Sequence, residues 1–206
     1  MLVYISMTHR FIAFGCSYTY GQGLADCHIE PNLPGPLPSK LGWAQQVADN
    51  LGRECVNKGK PGYGNISILQ EILTFDFEPT DIVSVMWSYR SRETFFSPTG
   101  EPTLKGRWDE KWLRQQNVYD LAVKNMFHMH HAQCYLRSLG LEFYFMDIDF
   151  TYHFGERNPT WFNDINILDV AIDKFDRSKP LGLDGLHPGP VFHAVVAKKL
   201  LKEIKK

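Results

Sequence analysis

The amino-acid sequence predicts one α/β domain, a parallel sheet with helices packed on both faces. Three observations carry that expectation. Apolar runs of strand length alternate four times with segments of helical periodicity, and such alternation folds as parallel strands joined by right-handed crossovers. The third run, "DIVSVMW" at 81–87, is nearly continuous in apolar residues, as a strand covered on both faces should be. The chain has 206 residues, enough for one well-buried α/β core and too few for two ordinary domains with separate cores.

In chain order, "FIAFG" (11–15) is a short apolar run ended by glycine, and the Pro-rich, polar stretch to Lys40 behind it reads as a long loop. "LGWAQQVADNLG" places Leu41, Ala44, Val47, Ala48 and Leu51 at helical spacing and closes on Gly52, the position of a helix C-cap. "ECVNKG" is the second strand, and "NISILQEILTF" reads as a helix with Asn65 as its cap. After the third strand, residues 91–116 break the rhythm with glycine, proline, charge and four aromatics, Phe95, Phe96, Trp108 and Trp112. This stretch reads as an insertion over one edge of the sheet. A long helix is expected at roughly 117–139, ending at Gly140, and "LEFYFMDID" is the fourth strand. A second insertion, at about 150–180, carries Tyr152, Phe154, Trp161 and Phe162 and a short helix around 166–176. "GPVFHAVVAKKLLKEIKK" closes the chain as an amphipathic helix with lysines in its last turns, where they suit the negative end of the macrodipole.

Bulk properties narrow the function. The formal net charge is -1 and the pI about 6.7, so no field of one sign exists to hold a nucleic-acid backbone or an anionic membrane. Neither partner is expected. No apolar run reaches the roughly 18 residues needed to cross a bilayer, and the seven residues before Thr8 are too few for the apolar region of a signal peptide. A cytoplasmic protein is expected, with Met7 a second candidate start. Cys16, Cys27, Cys55 and Cys134 form no CxxC pair and read as reduced thiols.

In a doubly wound sheet, ligands sit beyond the carboxyl ends of the strands. Ser17, the "KPGYGN" turn, the segment after Trp87 and the loop before the last helix all converge on that edge. Serine needs a base within hydrogen-bond reach, and the base needs an orienting group. "LDGLHPGP" offers both, because Asp184 and His187 are three apart and one turn of chain can join the carboxylate to one imidazole nitrogen and leave the other free. The backbone N–H groups of Ser17 and Gly62 are natural donors for a developing oxyanion.

The set "FGCSYTYGQG", "NKGKPGYGN" and "DGLHPGP" resembles the SGNH, or GDSL-type, hydrolase family. The resemblance implies a flavodoxin-like α/β/α three-layer sandwich and a serine esterase that needs no cofactor. Ser17 matches the family's nucleophile, Gly62 its oxyanion glycine, and Asp184 and His187 its final block. The sequence departs from the pattern twice. Cys16 stands where the family has aspartate, and "MWSYRSR" replaces the Gly-x-Asn-Asp after the third strand, leaving Ser88 through its hydroxyl or Arg90 through its charge as the third oxyanion donor. The implied substrate is a small-molecule or carbohydrate ester of a small acyl group, acetyl being the first choice. An acyltransferase with the same triad and a catalytically silent carbohydrate- or protein-binding module are the alternatives.

The competing readings are weaker. Gly-x-Ser-x-Gly would require glycine at 19, where Thr19 stands. Cys16 ends a buried strand and reads as an inert packing thiol. "HMHHAQC" spaces His128, His131 and Cys134 by three, but it supplies no further ligand, so no metal is expected. Trp108 and Trp112, in polar loops near the same edge, read as a stacking surface for sugar rings or a lid over an acyl chain.

Overall fold

The computed structural model describes residues 9–30, 33–96, 98–99, 102–106, 109–148, 165, 167–168 and 180–206. Its centre is a four-stranded sheet of β1 (Arg10–Gly15), β4 (Glu54–Asn57), β5 (Ile82–Trp87) and β8 (Glu142–Asp147) in the order β4-β1-β5-β8. Every pairing is parallel, and the register sets Ala13 beside Asn57, Gly15 beside Met86 and Trp87 beside Asp147. The carboxyl ends of the strands therefore share one edge, and β1, which leads into Ser17, lies inside the sheet.

Alternation along the strands divides the core in two. Phe11, Ala13, Ile82, Met86 and Met146 face α2 (Trp43–Leu51) and α6 (Pro190–Ile204), which pack on each other. Ile12, Phe14, Val83, Val85, Trp87 and Phe145 face α3 (Asn65–Leu73) and α5 (Val118–Ser138), which also pair. The three-layer α/β/α arrangement expected from the sequence is thus present. Each large apolar side chain removed from water this way contributes on the order of 1.5–3 kcal/mol, and this burial holds the layers together.

The helix ends follow local chemistry with one correction. α2 stops at Gly52, whose φ of +63° lets its N–H reach Ala48 and Asp49. At α3 the N-cap is Gly64, in extended conformation, and Asn65 is the first helical residue. Its side chain is drawn away by partners beyond β5, so it caps nothing.

The long loop after β1 holds the single turn α1 (Ser17–Tyr20) and a small antiparallel pair, β2 (His28–Glu30) with β3 (Leu33–Pro34). The insertion at 91–116 contains the hairpin of β6 (Glu93–Phe96) and β7 (Pro102–Lys105) and the one-turn α4 (Glu110–Leu113). β6 sits on α3, where the Ser67 hydroxyl meets Thr94 Oγ1 at 2.8 Å. Of the second insertion, Ile167 bridges Phe145 in parallel and Leu168 N–H donates to the Phe145 carbonyl at 2.8 Å. These two residues extend the sheet where the sequence reading began a helix. The rest of that helix, and Tyr152, Phe154, Trp161 and Phe162, lie outside the described residues. The four cysteines are free thiols. Among the described residues no helix is long and apolar enough to cross a membrane.

Candidate active site

Ser17 is placed by the abrupt end of β1. Cys16 is still extended, and the chain then coils into α1 with Ser17 as its first residue and Cys16 buried in the core behind it. The Ser17 carbonyl accepts from Gly21 N–H at 3.0 Å and Gln22 N–H at 3.1 Å, which closes the turn and leaves the side chain directed out of it. Ser17 is only 2 % exposed, so its hydroxyl must be satisfied within the protein.

Its partner is His187, with Nε2 at 3.1 Å from Ser17 Oγ, and His187 Nδ1 lies 2.6 Å from Asp184 Oδ2. The three side chains named from the sequence meet in one chain of hydrogen bonds. The other carboxylate oxygen, Oδ1, accepts the N–H groups of Leu186 and His187, both at 3.0 Å. Burial opposes ionisation of Asp184, but these two N–H donors and the His187 imidazole outweigh it and hold the carboxyl below its usual range. An ionised Asp184 can only accept, so His187 Nδ1 carries a proton, and in the neutral imidazole it is Nε2 that presents its lone pair to Ser17. The Asp184 side chain is 1 % exposed and that of His187 is 18 % exposed. The acid is sealed while the imidazole can be reached from outside. A hydroxyl, imidazole and carboxylate in this order can move a proton off the serine as its oxygen attacks.

The loop after β4 is laid over the Ser17 turn. Lys58 N–H donates to Ala13 at 2.8 Å and Lys60 N–H to Gly15 at 3.1 Å. Asn57 Nδ2 holds the Thr19 carbonyl at 2.7 Å, while its Oδ1 accepts Gly59 N–H at 2.9 Å. This loop carries Gly62, whose φ is +83°. That conformation suits glycine because it has no Cβ to clash.

The segment after β5 is fixed by Asn65, expected from the sequence to be a helix cap, and by Asn125 and Arg92, for which the sequence suggests no role. Asn65 Oδ1 accepts Ser88 N–H at 2.7 Å, and Asn65 Nδ2 donates to the Ser88 carbonyl at 3.0 Å and to Asn125 Oδ1 at 2.6 Å. Asn125 in turn holds the Arg90 carbonyl at 3.1 Å. Arg92 Nη1 reaches Ser88 Oγ at 3.2 Å and the Tyr63 carbonyl at 3.4 Å, tying this segment to the Gly62 loop. Ser88 is fully buried. The Tyr18 hydroxyl meets that of Tyr89 at 2.8 Å, and the Tyr18 ring stands edge-on to His187 with centroids 6.0 Å apart.

Trp112 makes a ring contact with Phe95 of the hairpin at 6.3 Å, and among the described residues no contact joins it to the triad. Trp108 lies outside the described residues. On α5, burial pushes His128 down to about 4, with Lys124 and His131 adding to it. The His130 ring, rather than His128 or His131, approaches Cys134 Sγ, at 3.8 Å. Among the described residues no group of three metal-binding side chains assembles.

No protein-family model and no curated protein matches the chain by sequence. Solved structures do. The chain is similar to a protein of Desulfitobacterium hafniense DCB-2 ascribed to the lipolytic G-D-S-L family, at TM-score 0.55 and 11% identity over 94% of this chain and 98% of that one. A catalytic mutant of an acetylxylan esterase from Geobacillus stearothermophilus matches at TM-score 0.56 and 17% identity over 96% and 94%. An acetyl xylan esterase from Butyrivibrio proteoclasticus matches at 0.53 and 13%, over 100% of this chain and 64% of the other. The likeness shows an SGNH hydrolase-like fold.

Proposed function

We propose that the protein is a serine esterase that hydrolyses a small acyl ester, acetyl on a carbohydrate being the leading substrate class. The observation that carries this reading is the unbroken run of hydrogen bonds from Ser17 through His187 to Asp184. The fold it shares with acetylxylan esterases supports the substrate class.

The chemistry follows from the tautomer. Ser17 Oγ bonds to the ester carbonyl carbon as its proton passes to His187 Nε2, and the carbonyl π electrons become an oxyanion. Asp184 stabilises the imidazolium so formed. The N–H groups of Ser17 and Gly62 would receive the oxyanion, with Ser88 or Arg90 as third donor. Arg92 already donates to Ser88 Oγ at 3.2 Å, which leaves the Ser88 O–H as the group to give. Collapse breaks the bond to the alcohol oxygen, which leaves with the proton from Nε2. Water then gives a proton to Nε2 as its oxygen bonds to the acyl carbon, and collapse breaks the acyl bond to Ser17 Oγ, which takes that proton from Nε2 as the carboxylic acid leaves. Trp108 and Trp112 would stack on the sugar.

The test is intact-mass labelling with a fluorophosphonate, alongside release of acetate from acetylated xylo-oligosaccharides. The expected result is one adduct on the wild type and none on Ser17→Ala or His187→Ala, with turnover falling in step. A folded wild-type protein that takes no adduct overturns the esterase reading and leaves a non-catalytic binding module. A sugar acceptor that diverts acyl groups from water would instead identify a transferase.

A further inference from the structure

The turn that carries Ser17 and the loop that carries Asp184 meet where neither has a side chain. Gly23 has a φ of +89°, and its carbonyl accepts Leu183 N–H at 2.7 Å. A Cβ on Gly23 would stand 2.8 Å from Asp184 Oδ1, 3.0 Å from Cγ and 3.1 Å from Oδ2. The main chain of Gly23 is thus the floor on which the carboxylate rests. Gly182 closes the contact from the other side, since a Cβ there would lie 2.7 Å from the Gly23 oxygen and 2.9 Å from its carbonyl carbon.

We propose that Gly23, with Gly182 packed against it, is a positioning residue that sets the Asp184–His187 hydrogen bond; its catalytic consequence rests on the esterase reading above. Other contacts hold the carboxylate from above, namely the N–H groups of Leu186 and His187 on Oδ1 and the imidazole on Oδ2. The Gly23 face limits how far it can sink toward the nucleophile's turn. A methyl group at position 23 or 182 leaves two responses. Either Asp184 rotates, or the 181–187 loop lifts off the turn and takes His187 with it. Both lengthen the 2.6 Å charge-assisted bond at Nδ1 and loosen the imidazole that serves Ser17. Displacements of this size in a catalytic array cost up to about 100-fold in rate.

The test compares four variants with the wild type. Gly23→Ala adds both the clash and backbone strain. Gly182→Ala adds the clash alone, because the φ of Gly182 lies outside the left-handed region. Gly52→Ala adds strain alone, at a φ of +63° with no atom within 4 Å of the new methyl. Asp184→Asn removes the group through which Gly23 is argued to act. One readout is independent of activity: the downfield proton resonance of His187 Nδ1–H, which reports the bond to Asp184. It should shift upfield or vanish in Gly23→Ala and Gly182→Ala and persist in Gly52→Ala. In turnover, the first two should lose roughly 10- to 100-fold in kcat with KM unchanged, whereas Gly52→Ala keeps both. Combined with Asp184→Asn, Gly23→Ala should add less than about twofold, as expected of residues acting through one group. If Gly23→Ala does not fold, Gly182→Ala decides. A folded Gly182→Ala or Gly23→Ala protein with the wild-type proton resonance overturns the proposal. An inactive wild type whose resonance nevertheless disappears in Gly182→Ala would overturn the esterase reading and leave the positioning intact.

Discussion

Asn65 shows how much one side chain can hold. It spends both ends of its amide on the segment after β5, bonding Ser88 N–H and the Ser88 carbonyl, and it spends its second amide hydrogen on Asn125. It is 1 % exposed and Ser88 is fully buried, so water cannot replace the lost partners. Asn65→Ala should therefore cost about 2–4 kcal/mol, because a deleted partner leaves buried groups unpaired. The measurement is urea unfolding, with a lower midpoint and an unchanged slope. A midpoint within error of the wild type would show that the segment relaxes to other partners. The same residue marks where sequence reading stops. Asparagine ahead of an apolar periodic run reads as a helix cap, and only Ser88 and Asn125, far along the chain, draw the side chain elsewhere. Asp184 and His187 were legible for the opposite reason. Their partnership is local, three residues apart, and needs one turn of chain and no knowledge of the fold. Ser17 was legible through its place at a strand end. The role argued for Gly23 was not, since nothing in "YGQG" says which carboxylate will lie on it.

The elements were largely readable because each is written in the period of its own side chains. The sheet strands came from apolar runs, and α2, α3, α5 and α6 from helical spacing. What spacing does not tell is how elements are joined. α6 begins three residues after His187, and one turn into it His193 accepts Trp43 N–H at 3.1 Å through Nδ1, at the start of α2. The helix that follows the Asp184–His187 loop is thereby pinned to the opposite end of the sequence. His193 is fully buried, and burial pushes it down to about 4. The unfolded imidazole titrates near 6.5. Between these values the unfolded chain binds the proton and the folded chain does not, so stability rises with pH and is lost on acidification from about 6.5 to 4. The size is on the order of 3 kcal/mol for His193. His128, also pushed down to about 4, adds to the loss in the same window. Unfolding free energy measured across that window should fall steeply for the wild type and less steeply for His193→Gln, whose amide can still accept from Trp43. Equal slopes would mean that His193 binds its proton as readily in the folded chain as in the unfolded one.

The whole molecule separates what holds it together from what would make it act. Gly23 meets Asp184 because β1 lies inside a sheet whose strands all end on one edge, and because the α2–α6 pairing folds the last part of the chain back beside the first. Apart from the His193–Trp43 bond that pairing is built on apolar side chains, with Ala44, Val47, Val196, Ala197 and Leu200 buried in one core cluster. Leu200 is fully buried and lies thirteen residues beyond His187, mostly along a helix that rises about 1.5 Å per residue. Between them sits His193, already fixed to α2 by a hydrogen bond. Leu200→Ala should thus remove about 2–5 kcal/mol of stability through lost contacts and a cavity. The surroundings of such a gap relax only partially, and the His193 anchor should keep that relaxation from reaching the 181–187 loop. The expected outcome is a clearly lowered urea midpoint together with an unchanged fluorophosphonate labelling rate in protein kept fully folded. A labelling rate that falls with the midpoint would show instead that the far end of α6 and the Asp184–His187 loop move as one body.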